Sequence, residues 1–336
     1  MMKVRLVNID HFDVLADIEQ QYSSRAHAHA DESARARFNT SFHTEREAPD
    51  LPTRPSEKPY SFKRWLPLIL RSRGLASSDA QIVTLSLAQA RLLLEVADAS
   101  IPSGEINRIY REDIDEEIMP AFKSLIFPGN SALRSINDIL LLLLTSLRAR
   151  NALFDAVEGD SKAFELFFIP WNGRMRSERE YRVFCPPFSS TDSLRVSAIS
   201  QYRWHKQWLF YLASDEVRKQ AVEKIVEGIN VIRKQIATEL HAKDEMDALL
   251  MQQGLTFDVF FDEERDMVQL IELNVFGARS ACGSCLFQWI RDRKTLEGHG
   301  EPQDVEFRVT FQEVSYEGSS SPPSDDDEED DNHDEE

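Results

Sequence analysis

The sequence predicts an α+β fold whose sheet is mostly antiparallel. Three observations predict it. Short β-branched and aromatic runs cluster in the second half of the chain, separated by polar turns. One long amphipathic run then interrupts them before a final pair of strand-like segments. The regular strand–helix alternation of a doubly wound parallel sheet is not there.

Taken in order, residues 20–60 are rich in Ser, Ala, Arg, His, Glu and Pro and show no period, so 1–60 reads as a poorly ordered segment. Residues 61–130 read as a small helical region. Phe62, Trp65, Leu66, Leu68, Ile69 and Leu70 form an anchoring cluster there, and the pattern of Leu87, Ala90, Leu92, Leu93, Leu94 and Val96 predicts a helix over 86–99. A further helix is expected from Ser135, with Asp138 at capping-box spacing and a stripe of Ile136, Ile139, Leu140, Leu143 and Leu147. Arg148 and Arg150 are read as its C-terminal charges.

The period then shortens. Runs at 164–169 (FELFFI), 181–185 (YRVFC) and 194–200 (LRVSAIS) predict three strands of an antiparallel meander. Ser214, followed by Asp215 and Glu216, predicts the start of a long helix. Its apolar face is Val217, Ala221, Ile225, Ile229, Ile232, Ile236 and Leu240. Strands at 255–261 and 267–274 flank a charged turn. The domain formed by 131–300 is the principal unit, and the Ser/Pro/Asp/Glu-rich stretch 317–336 is expected to be disordered.

Composition narrows the function. The 336 residues carry a formal charge of −19, which argues against a general nucleic-acid or anionic-membrane binder. Ten of those negative charges lie in 325–336, and removing them leaves −9. Such a tail suits a basic surface on a protein partner, or simple solvation. Three cysteines are too few for a disulfide framework. No stretch resembles a signal peptide or approaches the roughly 20 apolar residues of a membrane span. A cytoplasmic chain is expected.

The chemistry concentrates on the last hairpin. Glu272 and Asn274 are two apart and share a face of their strand. Pairing Asp258 with Glu272 centres the turn near Arg265, so two carboxylates and one amide converge. Like charges this close require a cation between them or a proton on one. Hard oxygen donors of this kind suit Mg²⁺. A solvated sheet face would give the same spacing.

The runs 180–184 (EYRVF), 199–201 (ISQ), 257–259 (FDV), 271–277 (IELNVFG) and 286–289 (LFQW), in this order and spacing, resemble the cell division cycle protein 123 family. The resemblance covers roughly 130–290 and is weak before it. It implies an ATP-grasp-like fold, ATP and Mg as cofactors, and a role as assembly factor for the gamma subunit of eukaryotic translation initiation factor 2. That role supports translation initiation and cell-cycle progression. It further implies metal ligation by Asp258, Glu272 and Asn274, and nucleotide contacts from Trp171, Arg182, Gln201 and Asn274.

Departures from the family pattern are specific. Glu272 stands where the family usually has Asp, and Ile169-Pro170 replaces two basic residues. Tyr202-Arg203-Trp204 replaces Arg-Asp-Tyr. A Ser-Pro-Lys-Asp segment is missing, with 127–130 in its place and Lys123 the nearest cation. An ATP-binding chaperone is therefore expected over a catalyst. An ATP-grasp ligase forming an acyl phosphate, or a degenerate interaction protein without nucleotide, remain as alternatives. No catalytic residue is assigned.

Cys282 and Cys285 form a lone Cys-x-x-Cys pair, read as core or surface thiols over half a zinc site. His27 and His29 sit in a polar tract as a weak metal motif or a functionless one. Trp204, His205 and Trp208 read as packing residues more than as a pocket wall.

Overall fold

The computed structural model describes residues 2–26, 36–51, 54–127, 129, 131–159, 162–298 and 304–312. His27, His29 and the acidic stretch 317–336 lie outside these residues.

Among the described residues, eight strands form two sheets. Strands β1 (Val4–Asp10), β4 (Glu180–Cys185), β5 (Ala198–Gln201), β6 (Leu255–Asp262), β7 (Met267–Val275) and β8 (Val305–Phe311) make a six-stranded sheet in the order β1-β8-β5-β4-β6-β7. The β5-β4-β6-β7 half is antiparallel, whereas β8 runs parallel to both β1 and β5. Strands β2 (Gln81–Ser86) and β3 (Ala163–Phe168) form a separate antiparallel ribbon. The expected three-strand meander is therefore corrected. Its first run, β3, pairs with β2 because Phe164, Leu166 and Phe168 pack into a different core from β4.

Among the described residues the α-helices are α1 (His11–Ala26), α2 (Phe62–Ser72), α3 (Leu87–Ser100), the single turn α4 (Arg111–Asp113), α5 (Ile136–Thr145), α6 (Leu147–Glu158), α7 (Asp215–Glu239), α8 (Glu245–Gln253) and the short α9 (Arg293–Leu296). One face of the large sheet is apolar. Tyr181, Val183, Ile199, Phe257, Val259 and Phe307 pack there with α7 through Ile225, Ile229, Ile232 and Ile236, and with α2 through Trp65, Leu68 and Ile69. Each fully buried aliphatic of that layer contributes about 1.5–3 kcal/mol. Ser214 caps α7 by accepting from the Val217 amide, as its position in the sequence implies. Trp208 is buried at the same layer and donates to the Tyr181 hydroxyl at 3.0 Å.

A second core joins α3, α5 and α6 to the β2–β3 ribbon through Leu85, Leu93, Leu140, Leu144 and Leu153. The single helix expected from Ser135 is two. Ser146 takes an extended conformation (φ −95°, ψ 120°) and caps α6 through the Ala149 amide. Ser146 is a strong N-cap, and local side-chain capping competes with helix continuation.

The segment 1–60, expected to be poorly ordered, supplies the edge strand β1 and the helix α1. Residues 39–43 also run beside the loop after β7, with the Asn39 amide on the Cys285 carbonyl (2.7 Å) and the His43 amide on the Ala278 carbonyl (2.8 Å). Main-chain pairing of this kind leaves no side-chain period to read. Among the described residues no helix is long and apolar enough to cross a membrane.

Candidate functional site

The polar face of the large sheet carries the site. Alternation along β4 puts Arg182 on the side opposite Tyr181 and Val183, and Arg182 pairs across to Asp258 of β6. Asp258 in turn sits opposite Glu272 of β7, and Thr256 opposite Asn274. Between Asp258 and Val259 the register slips by one, leaving Ile271 as an extra residue in β7. That bulge lets Leu270 and Leu273 both face the apolar core while Glu272 and Asn274 face the other way.

Arg182 and Asp258 form a two-pronged ion pair, Nε to Oδ1 at 2.8 Å and Nη2 to Oδ2 at 2.7 Å. Arg182 is 5% exposed and Asp258 is 1% exposed, so the pair is nearly free of solvent screening. The third arm of the guanidinium donates to the Gly283 carbonyl at 2.6 Å, and its carbon lies 5.0 Å from the centre of the Tyr202 ring. Burial works against the Arg182 charge. The opposing pull of Asp258, aided by its hydrogen bond, wins and holds Arg182 well above its ordinary value. Asn274 Nδ2 donates to Glu272 Oε1 at 3.0 Å and approaches Asp258 Oδ2 at 3.4 Å.

Glu272 holds its proton more tightly than an ordinary carboxylate, chiefly through burial and then through Asp258 beside it. Glu180, two residues before Arg182 on the same face of β4, is pushed up to about 7 by burial and then by Asp258 and Glu272. The face therefore holds more negative charge than Arg182 neutralises.

Above it lies a cavity of about 540 Å³. Arg182, Glu272 and Asn274 line it, together with Arg148, Arg203, Tyr202, Trp204, His205, Cys282 and Cys285. Asp258 does not reach the surface of the cavity, because the Arg182 guanidinium covers it. Burial pushes the thiols up, Cys282 to about 11 and Cys285 to about 12, so both are protonated at neutral pH. Cys282 Sγ lies 3.1 Å from the Thr256 hydroxyl. Cys285 adopts a left-handed backbone (φ 51°), a conformation rare for a non-glycine residue. His205 is lowered by burial and by Arg203 and Lys206.

The structure thus brings four of the sequence-derived residues together: Arg182, Asp258, Glu272 and Asn274. Two others lie elsewhere. Gln201 pairs with Tyr181, one position out of phase with Arg182, and so faces the opposite side of the sheet. Its amide accepts from the Thr310 amide and donates to the Lys206 and Arg203 carbonyls, which fixes the turn carrying Trp204 and His205. Trp171 is 52% exposed in the loop after β3 and does not line the cavity. Lys123 is exposed and does not line it either. The aromatic–histidine cluster divides: Trp208 belongs to the core, while Trp204 and His205 wall the cavity.

A family model described as D123 matches residues 125–329. The chain belongs to the D123 family. This is the family of cell division cycle protein 123. Neither the curated proteins nor the solved structures compared with the chain gave a match. The matched span covers β4 to β8, and so every strand of the polar face just described, while α1, α2 and the β2 strand precede it.

Within this D123 chain, one cavity residue and one residue of the polar face beneath it escape a reading of the sequence. Arg148 is one. The chain breaks at Ser146, so Arg148 stands in the first turn of α6 and not at a helix C-terminus. A cation in a first turn opposes the helix dipole. The available signal was Ser146, an N-cap residue two positions ahead of Arg148. Glu180 is the other, since its charge is visible but its burial among carboxylates is not.

Donor chemistry fits a hard divalent cation: two carboxylates and an amide on one face, with excess negative charge. Glu272 and Asn274 are presented to the cavity, and Asp258 lies behind Arg182. Among the described residues no group of three or more His, Cys, Asp or Glu side chains is placed to hold a metal ion.

Proposed function

We propose that this D123 chain is an ATP-grasp-like protein that binds ATP with magnesium and serves as an assembly chaperone for the gamma subunit of eukaryotic translation initiation factor 2. The observation that carries the reading is the Arg182–Asp258–Asn274–Glu272 constellation opening into a cavity with two further arginines.

Each residue has a role in that reading. Glu272 and Asn274 would hold the magnesium, with Asp258 as the third oxygen-bearing side chain of the set. Arg182, Arg148 and Arg203 meet phosphate oxygens, for which the planar guanidinium is suited. Tyr202 and Trp204 offer flat faces to a base. Bound magnesium would neutralise the carboxylates and orient the phosphates. Family membership is what supports this client, and a cytoplasmic location goes with the same reading. Ordering the cavity wall with nucleotide changes the surface offered to that client, and no covalent product is required. Nucleic acid and membrane take no part in this reading.

Thermal unfolding with ATP and Mg²⁺ tests the first half. Ligand at 100 times its dissociation constant stabilises by about 2.7 kcal/mol, or roughly 5–10 °C for a domain of this size. Glu272→Gln and Asn274→Ala are expected to lose the magnesium-dependent part. Co-purification of the gamma subunit with the wild-type chain tests the second half. An unchanged melting temperature in wild type would instead favour a scaffold without nucleotide, the reading favoured by the engagement of both Asp258 oxygens by Arg182.

A further inference from the structure

A second cavity, of about 650 Å³, shares no lining residue with the first. Its floor is apolar, built on Phe276, Trp289 and Leu296, with the Phe276 and Trp289 rings 5.0 Å apart and nearly perpendicular. Its walls carry four arginines: Arg54, Arg195, Arg279 and Arg293.

Among the described residues, carboxylates neutralise one of the four. Arg293 meets Asp50, and Glu297 at 2.6 Å, and Glu297 is the acidic residue of the lining. The other three have no carboxylate partner among the described residues. Arg195 donates to the carbonyls of Glu297 and Gly298, both at 3.2 Å. Arg279 donates to the Leu51 carbonyl at 2.6 Å, and its Nε is buried without an acceptor. Arg54 lies over the Phe42 ring at 5.2 Å. Carbonyl oxygens fix these side chains in place but leave their charge uncompensated. Three like charges around one hollow repel each other, and a buried N–H without an acceptor adds to the cost. A ligand anion removes both costs.

We propose that this cavity is a binding site for a small organic anion with a flat apolar body, such as an aromatic carboxylate, sulfonate or phosphate ester. The volume lies in the range of small-ligand pockets, about 300–1,000 Å³. An aromatic body would lie on Phe276 and Trp289, and the oxyanion would take the forked donors of Arg54, Arg195 and Arg279. The site is independent of the nucleotide reading, since no side chain is common to both cavities.

The probe is 8-anilinonaphthalene-1-sulfonate, which carries a ring system and one oxyanion, titrated by fluorescence into the full chain. Saturable binding of about one probe per chain is expected, undisturbed by ATP with Mg²⁺. The uncharged N-phenyl-1-naphthylamine is expected to bind at least about tenfold more weakly. Arg54 and Arg195 are exposed, so the double variant Arg54→Ser, Arg195→Ser keeps the fold, checked by circular dichroism, and should lose about tenfold in affinity for the sulfonate alone. Equal affinity for the neutral probe, displacement by ATP, or an unchanged double variant would each overturn the proposal.

Discussion

Replacing Glu180 by Gln isolates the electrostatic cost of the polar face. Glu180 is half-buried on β4, with Asp258 and Glu272 raising its proton affinity after burial itself and Arg182 opposing them. Below pH 4.5 the folded and unfolded chains both keep its proton, so the group contributes nothing to the difference. Between 4.5 and about 7 only the folded chain keeps it. Folding then takes up a proton, and stability falls as pH rises. Above about 7 both states are ionised and the full penalty applies. At about 1.4 kcal/mol for each tenfold change in proton affinity the rise corresponds to roughly 3 kcal/mol, and partial exposure of the side chain reduces this to roughly 1.5–3 kcal/mol. The amide of Gln never ionises and escapes the penalty. Urea unfolding of wild type and Glu180→Gln at pH 5, 6, 7 and 8 measures the difference. The variant should gain on wild type steadily through that interval. A constant difference at all four values, or a variant less stable at pH 8, would refute the reasoning.

The remaining predictions are structural. Asp258→Asn leaves the Arg182 charge buried without its partner and should cost about 3–5 kcal/mol, read from the urea midpoint. The double change Arg182→Met, Asp258→Leu should recover much of that loss. Gly254 has φ +74°, and a Cβ there would lie 2.7 Å from the Pro187 nitrogen and 2.8 Å from the Cys185 carbonyl. With ψ at 179° this is backbone that essentially only glycine adopts, so Gly254→Ala should lower stability by at least about 1–3 kcal/mol, read as a fall in melting temperature. Cys282 and Cys285, pushed up to about 11 and about 12 and buried, should react with iodoacetamide at pH 7.5 far more slowly in the folded chain than in urea. Equal rates, followed by mass spectrometry, would contradict their burial.

The sequence by itself determined the elements whose stability is local or periodic. Ser214 and the isoleucine face of α7, and the strand alternation that sets Glu272 and Asn274 on one side, are written in spacing. Pairing of Asp258 with Glu272 was expected from the sequence, but the register at the turn, Asp262 with Met267, would set Asp258 against Ile271, and the bulge restores the expected pair. Tertiary structure decided what depends on distant partners. It assigned β3 to the β2 ribbon, bound residues 39–43 to the loop after β7 by main-chain hydrogen bonds, and inserted the Ile271 bulge that re-aims β7. It turned Gln201 to the far face, and brought Arg148 from α6 to the same cavity as Arg182. Above all, it laid Arg182 across both oxygens of Asp258. Charge type and alternation are properties of a single strand. Which charge lies against which depends on strands brought together from 76 residues apart, and only packing sets that.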